Sequence, residues 1–212
     1  MHTLLQRIIT QLNILREQYP AAVAELGLNY TLNPGAGEAD FARLEQTLGF
    51  PLPEDFKALY RAANGENGIA GVLLDQEWLS IERIIQEYGT WKSLFDDGSF
   101  QRPDHTDFGC SPEHPGIKPD FWWNPKWIPL TADGGGNGMM IDLDPAPSGT
   151  AGQIIQMWHD SPERSLEAPS LHALLAQFAQ DLESGQYLLH EDYGLISQSE
   201  FKELEQHQSQ TA

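Results

Sequence analysis

The stretch "WIPLTADGGGNGMMIDLDPAP", residues 127–147, constrains this chain more than any other. Two apolar runs of strand length flank a glycine-rich connection, so the segment reads as an antiparallel hairpin. Gly134, Gly135, Gly136 and Gly138 permit positive φ in a tight turn, and Asn137-Gly138 is a favoured turn dipeptide. Four glycines exceed what a turn needs. The surplus predicts close approach by another backbone or side chain, from the same domain or from a partner.

Other readings of the stretch fail on chemistry. A phosphate loop needs a lysine after its glycines and a helix behind it, and a dinucleotide fold also needs that helix. Here a strand follows, lysine is absent, and aspartates would repel phosphate. A calcium loop needs alternating oxygens and a distal glutamate. Asp142 and Asp144 begin such a pattern, prolines break it, and only Asp133 reaching across the hairpin would rescue a loose cation site. No metal and no cofactor is therefore expected. Strand alternation puts Asp142 with Met140 on one face and Ile141 with Leu143 on the other, so Asp142 is expected on a solvated strand face.

The rest of the chain supplies helices and short strands. Residues 3–19 carry leucine and isoleucine at helical spacing, and "PAAVAELG" is a short second helix ending at Gly27. Residues 1–37 form an N-terminal helical extension. "EADFARLEQTLGFPLPEDFKALYRAANG" reads as helix, break, helix, with Gly49 and Pro51 as the break. "IAGVLLDQEWLS" predicts a short strand and turn, and Ser80 caps a helix through "SIERIIQEYGTWKSLFDD". Residues 98–126 form a long irregular segment whose aromatics must pack. "KWIPL", "MMIDL" and "GQIIQMWHD" predict an antiparallel meander, and "SLHALLAQFAQDLESG" a final amphipathic helix. "QYLLHE" adds an edge strand, and residues 191–212 are a C-terminal tail that frays at "EQHQSQTA". The fold class is α+β, a mostly antiparallel central sheet with helices packed around it, over residues 38–190.

Charge narrows the partners. Thirty-one acidic and twelve basic residues leave a net charge of −19. Such a surface repels phosphate backbones and anionic membranes and suits a basic protein. The single cysteine, Cys110, sits near Asp107 and Glu113, which raise a thiol pKa, and reads as inert. No run of apolar residues reaches the roughly 18 needed to cross a bilayer, and the N-terminus lacks the apolar core and cleavage site of a signal peptide. A cytoplasmic location is expected. His159, Asp160 and Ser161 in "WHDSPER" cannot form a relay, because neighbours on a strand point to opposite faces; "SP" before an acid instead suits a turn or helix start.

"LGFPLPEDFKALYRAANG", then a tryptophan segment, then "WIPLTADGGGNGMMIDLDPAPSG", resembles the SUKH superfamily, and within it the Smi/Knr branch. The resemblance spans about residues 38–183. It implies an α+β domain without catalytic residues. It also implies that Leu52, Pro53, Tyr60, Asn64, Gly65, Trp127, Pro129, Asp133, Gly134, Gly135, Asn137, Asp142 and Asp144 are hallmark positions, most of which hold the fold. Bacterial members are implied to be immunity proteins that neutralise toxins of polymorphic or contact-dependent systems, often basic nucleases. Fungal members are implied to be regulators or scaffolds of cell-wall assembly. The first role is expected here and the second is its alternative. The candidate partner-binding residues are Asp133, Gly134, Gly135, Gly136, Asn137, Asp142 and Asp144 at the hairpin, with Trp78, Trp122 and Trp123 as aromatic anchors.

Overall fold

In the computed structural model the described residues are 1–68 and 70–211, with the side chains of 207–211 left aside. Helices α1 (His2–Gln18), α2 (Pro20–Leu26), α3 (Glu38–Leu48) and α4 (Glu54–Ala62) come first. Then follow β1 (Glu77–Trp78), α5 (Ile81–Asp96), β2 (Ser111–Pro112), β3 (Trp127–Pro129), β4 (Thr131–Ala132), β5 (Gly138–Asp142), β6 (Gln153–Met157) and β7 (Glu163–Ala168). The chain closes with α6 (Leu171–Glu183), β8 (Tyr187–His190), β9 (Gly194–Ser197) and α7 (Gln198–Thr211).

The central sheet has the order β2-β7-β6-β5-β3, antiparallel except where β2 pairs with β7. The fold is therefore α+β, and the meander of β3, β5 and β6 forms as its turn signals predict. All five residues of β5 and all five of β6 are buried, so helices and loops cover both faces of the sheet's middle. α1 packs against α6, and its Ile8 and Leu12 lie wholly inside the same hydrophobic core as the strands. The first helix thus serves its own domain.

Several elements differ from the sequence reading. Of the strand predicted in "IAGVLLDQEWLS", Ile69 lies outside the described residues and only Glu77–Trp78 is strand. Leu73 and Gln76 bridge across a two-residue turn in which Leu74 and Asp75 have φ of 54° and 62°. Buried Glu66 organises this loop: its carboxylate accepts the N–H groups of Ala70, Gly71, Val72 and Trp78. One carboxylate thus substitutes for a ladder partner. "WHDSPER" holds a turn that enters β7, a strand rather than a helix. "QYLLHE" does not extend the main sheet; it pairs with β9 in a separate hairpin, and the tail continues as α7 to Thr211, with Ala212 outside the described residues.

The hallmark residues of the helical part brace elements together. Tyr60 Oη donates to the Leu79 carbonyl at 2.8 Å and accepts from Trp78 Nε1 at 3.1 Å. Asn64 Oδ1 accepts the N–H of Ile81, the first residue of α5, at 2.8 Å. Among the described residues no helix is long and apolar enough to cross a membrane.

Candidate partner-binding surface

The glycine turn joins β4 to β5 and is organised from within. Asp133 Oδ1 accepts the N–H of Gly135 at 2.7 Å and of Asn137 at 3.0 Å, while its Oδ2 accepts from Asn137 Nδ2 at 2.7 Å. Burial works against the ionised form, but these donors outweigh it and hold the carboxyl below its ordinary pKa. Gly134 and Gly136 take the left-handed conformation, φ 79° and 100°. The dipeptide Asn137-Gly138 is not the turn itself, because Gly138 already lies in β5.

The surplus of glycine has an internal cause. A Cβ on Gly138 would sit 2.2 Å from the Thr131 carbonyl oxygen, and one on Gly136 would lie 3.1 Å from the His159 ring. The backbone of β4 and the side chain after β6 press on the turn. Asn137 Oδ1 accepts the His159 N–H at 2.9 Å and lies 2.9 Å from Nδ1. Since Asn137 Nδ2 is committed to Asp133, Oδ1 must face His159, so Nδ1 carries the proton and donates.

Asp142 is not on a solvated face; it is fully buried. Trp127 and Gln153 stand opposite it on β3 and β6. It accepts from Trp127 Nε1 at 3.1 Å, Gln153 Nε2 at 2.8 Å and Asp144 N at 2.9 Å. Burial dominates these donors and pushes its pKa up. Asp144 pairs with Lys118 Nζ and accepts from Asn124 Nδ2 at 3.0 Å; burial opposes ionisation there too, yet Lys118 and Asn124 hold the carboxyl low. Asp133 cannot join this pair, since the length of β5, about 15 Å at roughly 3.3 Å per residue, separates them. Among the described residues no group of three or more His, Cys, Asp or Glu could hold a metal ion.

The tryptophan candidates divide. Trp78 and Trp123 are wholly buried and cannot meet a partner without opening the core. Trp123 packs against Tyr88, Trp91 and Phe95. Trp122 is half-buried and faces Arg164, whose guanidinium lies 5.5 Å from its ring. Arg164 is itself fully buried, and among the described residues no carboxylate pairs with it. It donates to the carbonyls of Ser161, Glu163 and Trp122, and burial lowers its pKa to about 10.

What remains at the surface is the turn's tip, Asp133, Gly134 and Gly135, with three open clefts around it. One lies against α5, lined by Arg83, Glu87, Trp91 and His159. The second lies beside the β8–β9 turn, with Asp75, Glu77, Asp192 and Tyr193. The third, between β6 and α7, includes Gln156, Trp158, Glu167 and Glu200. Their volumes, about 370, 320 and 420 Å³, fit one or two side chains each. Trp158, Tyr193 and His159 escape sequence reasoning. Trp158 follows a fully buried run, so alternation gives no sign that it emerges; its exposure, 39%, marks it only once the fold is known.

The model of the SMI1 / KNR4 family (SUKH-1) matches residues 35–177, about two thirds of the chain. The chain is 28% identical over 216 residues to a glucan synthesis regulatory protein of Neurospora crassa, covering 88% of this chain and 40% of that protein. It is 32% identical over 168 residues to the cell wall biosynthesis/cell cycle regulator smi1 of Schizosaccharomyces pombe, covering 74% and 33%. It is 26% identical over 195 residues to the cell wall assembly regulator SMI1 of Saccharomyces cerevisiae, covering 78% and 39%. The chain thus spans well under half the length of these relatives. It belongs to the SMI1/KNR4 family.

Proposed function

We propose that this member of the SMI1/KNR4 family is a non-catalytic protein-binding domain acting as a cytoplasmic regulator or scaffold in cell-wall assembly. The observation that carries the reading is that the matched relatives are named regulators of glucan synthesis and of wall assembly. The site fits the non-catalytic part: Asp133, Asp142 and Asp144 each accept hydrogen bonds from inside the domain. The reading needs no cofactor.

The test is exchange. This chain replaces the matched region of the S. cerevisiae regulator, and growth is scored under a drug that inhibits glucan synthesis. Restored growth supports the proposal. A folded, expressed chimera that leaves cells as sensitive as the deletion refutes it. A second reading, an immunity protein covering the cationic site of a basic toxin such as a nuclease, is favoured by the net charge of −19. None of these relatives' names carries that role, so it ranks second.

A further inference from the structure

The third cleft is acidic. Some exposed carboxylates elsewhere pair with cations: Glu183 with Arg7, Glu82 with Arg43, Glu38 with Arg61, Asp96 with Lys92. In the cleft between β6 and α7, Glu167 and Glu200 face solvent, and among the described residues neither forms an ion pair. Among the described residues no lysine, arginine or histidine lines this cleft or its neighbour beside the β8–β9 turn.

A second observation is independent of charge. Gln156, in β6, is only 6% exposed and lines the cleft. Its Nε2 makes one long hydrogen bond, 3.3 Å, to the Met157 carbonyl, and among the described residues its Oε1 accepts none. That carbonyl fixes the amide, because turning it over would set oxygen against oxygen. Gln156 Oε1 is thus an open acceptor in the lining of a cleft that a donor can enter. Trp158 stands in the same cleft with its ring partly in water.

We infer that this cleft is an arginine-reading pocket for an extended segment of a partner protein. It rests on the protein-binding reading above and names the chemistry of the partner. A guanidinium meets all three features at once. Its flat face stacks on Trp158, one N–H donates to Gln156 Oε1, and its charge faces Glu167 and Glu200. An ammonium satisfies the charge but neither stacks nor forks as well. The cleft beside α5 suits such a segment less, since Arg83 and His159 already supply cationic or donor groups there.

The experiment is fluorescence anisotropy with two labelled probes, Ser-Arg-Ser-Arg-Ser-Arg and its lysine counterpart, at low and moderate salt. The arginine peptide is expected to bind at least 5-fold more tightly. Trp158→Ala and Gln156→Met are each expected to weaken it about 10-fold, with thermal melts confirming that Gln156→Met is folded. Glu167→Gln with Glu200→Gln is expected to weaken it as much and to flatten its salt dependence. The charge-matched control, Glu17→Gln with Glu25→Gln on α1 and α2, is expected to change it less than 2-fold. Equal binding of both peptides, equal loss in the control, or no binding below millimolar overturns the inference. A chimera that restores wall growth although the peptide does not bind leaves the regulator reading standing and removes this pocket alone.

Discussion

Gly138→Ala isolates the cause of the glycine-rich turn. The new Cβ would lie 2.2 Å from the Thr131 oxygen and 3.0 Å from its carbonyl carbon. A carbon and a carbonyl oxygen rest no closer than about 3.3 Å, so the strands must part by about 1 Å. Both obstacles are backbone, and no rotamer change relieves them. Overpacking of this kind costs about 1–3 kcal/mol. The movement also strains the bonds that close the turn, Met139 N to Thr131 Oγ1 at 2.9 Å and Asp133 N to the Asn137 carbonyl at 3.0 Å, each worth about 1 kcal/mol. The sum is about 3–5 kcal/mol, a large share of the 5–15 kcal/mol typical of a domain. For a chain of this size that is a fall in Tm of roughly 6–20 °C. Gly135→Ala is the control, because its Cβ meets only the Asp133 carboxylate at an ordinary 3.4 Å. It is expected to stay within about 0.5 kcal/mol of wild type. Urea unfolding followed by circular dichroism measures both. If Gly138→Ala loses less than about 1 kcal/mol, or Gly135→Ala loses as much, close backbone approach is not why glycine stands there.

Three further outcomes follow from the same geometry. Asp142→Asn is expected to cost about 1–3 kcal/mol in urea unfolding at pH 7, because its new amide would oppose Gln153 Nε2; Gln153 cannot turn, since Nε2 also donates to the Gly116 carbonyl and Oε1 accepts from Thr150. Asp133→Asn is expected to cost about 0.5–1.5 kcal/mol at neutral pH. Its carboxyl is held below the ordinary value, so its contribution is present above about pH 4, the unfolded pKa, and is lost as pH falls through the lower folded one; a gap from wild type that fails to shrink on acidification would refute this. Ile8→Ala or Leu12→Ala is expected to cost about 2–5 kcal/mol, as core residues do, whereas Arg7→Ala, which breaks an exposed pair with Glu183, is expected to cost under about 1 kcal/mol in the same melts.

Legibility in the sequence tracked how local each cause was. α5 was readable because its cap is three residues from its donor, Ser80 Oγ accepting the Arg83 N–H. The β3–β5–β6 meander was readable because glycine or proline bounds each strand on one side: Pro129 closes β3, Gly138 opens β5 and Gly152 precedes β6. β7 was not, since "ERSLEA" is charged, and its buried Arg164 donates only through its two terminal nitrogens, to the carbonyls of Ser161, Glu163 and the distant Trp122. Asp142 was misplaced because alternation assumes one wet face, and β5 has none. Its partners Trp127 and Gln153 are fifteen and eleven residues away, brought beside it only by sheet register. Trp78 and Trp123 failed as surface candidates for the same reason: burial is a property of what covers a residue. Glu66, which orders the 70–78 loop, left no pattern in the sequence, because its four donors form no repeat.

The residues that identify the family are therefore of a different kind from those that would choose a partner. Asp133, Gly138, Asn137, Asp142 and Asp144 are fixed by contacts inside the domain. The sheet then does a second thing: β6, pinned beside β5 by that hairpin, carries Gln156 to the floor of a cleft and Trp158 to its rim. Among the described residues the cleft's outer carboxylates, Glu167 in β7 and Glu200 in α7, bond only to near neighbours in the chain, Ser165 Oγ and the Ser197 N–H. Glu200 also lies beyond residue 177, where the family match ends. The hairpin's side chains are spent on holding the sheet, so the glycine turn tells the fold, and the partner's chemistry has to be sought in the neighbouring cleft.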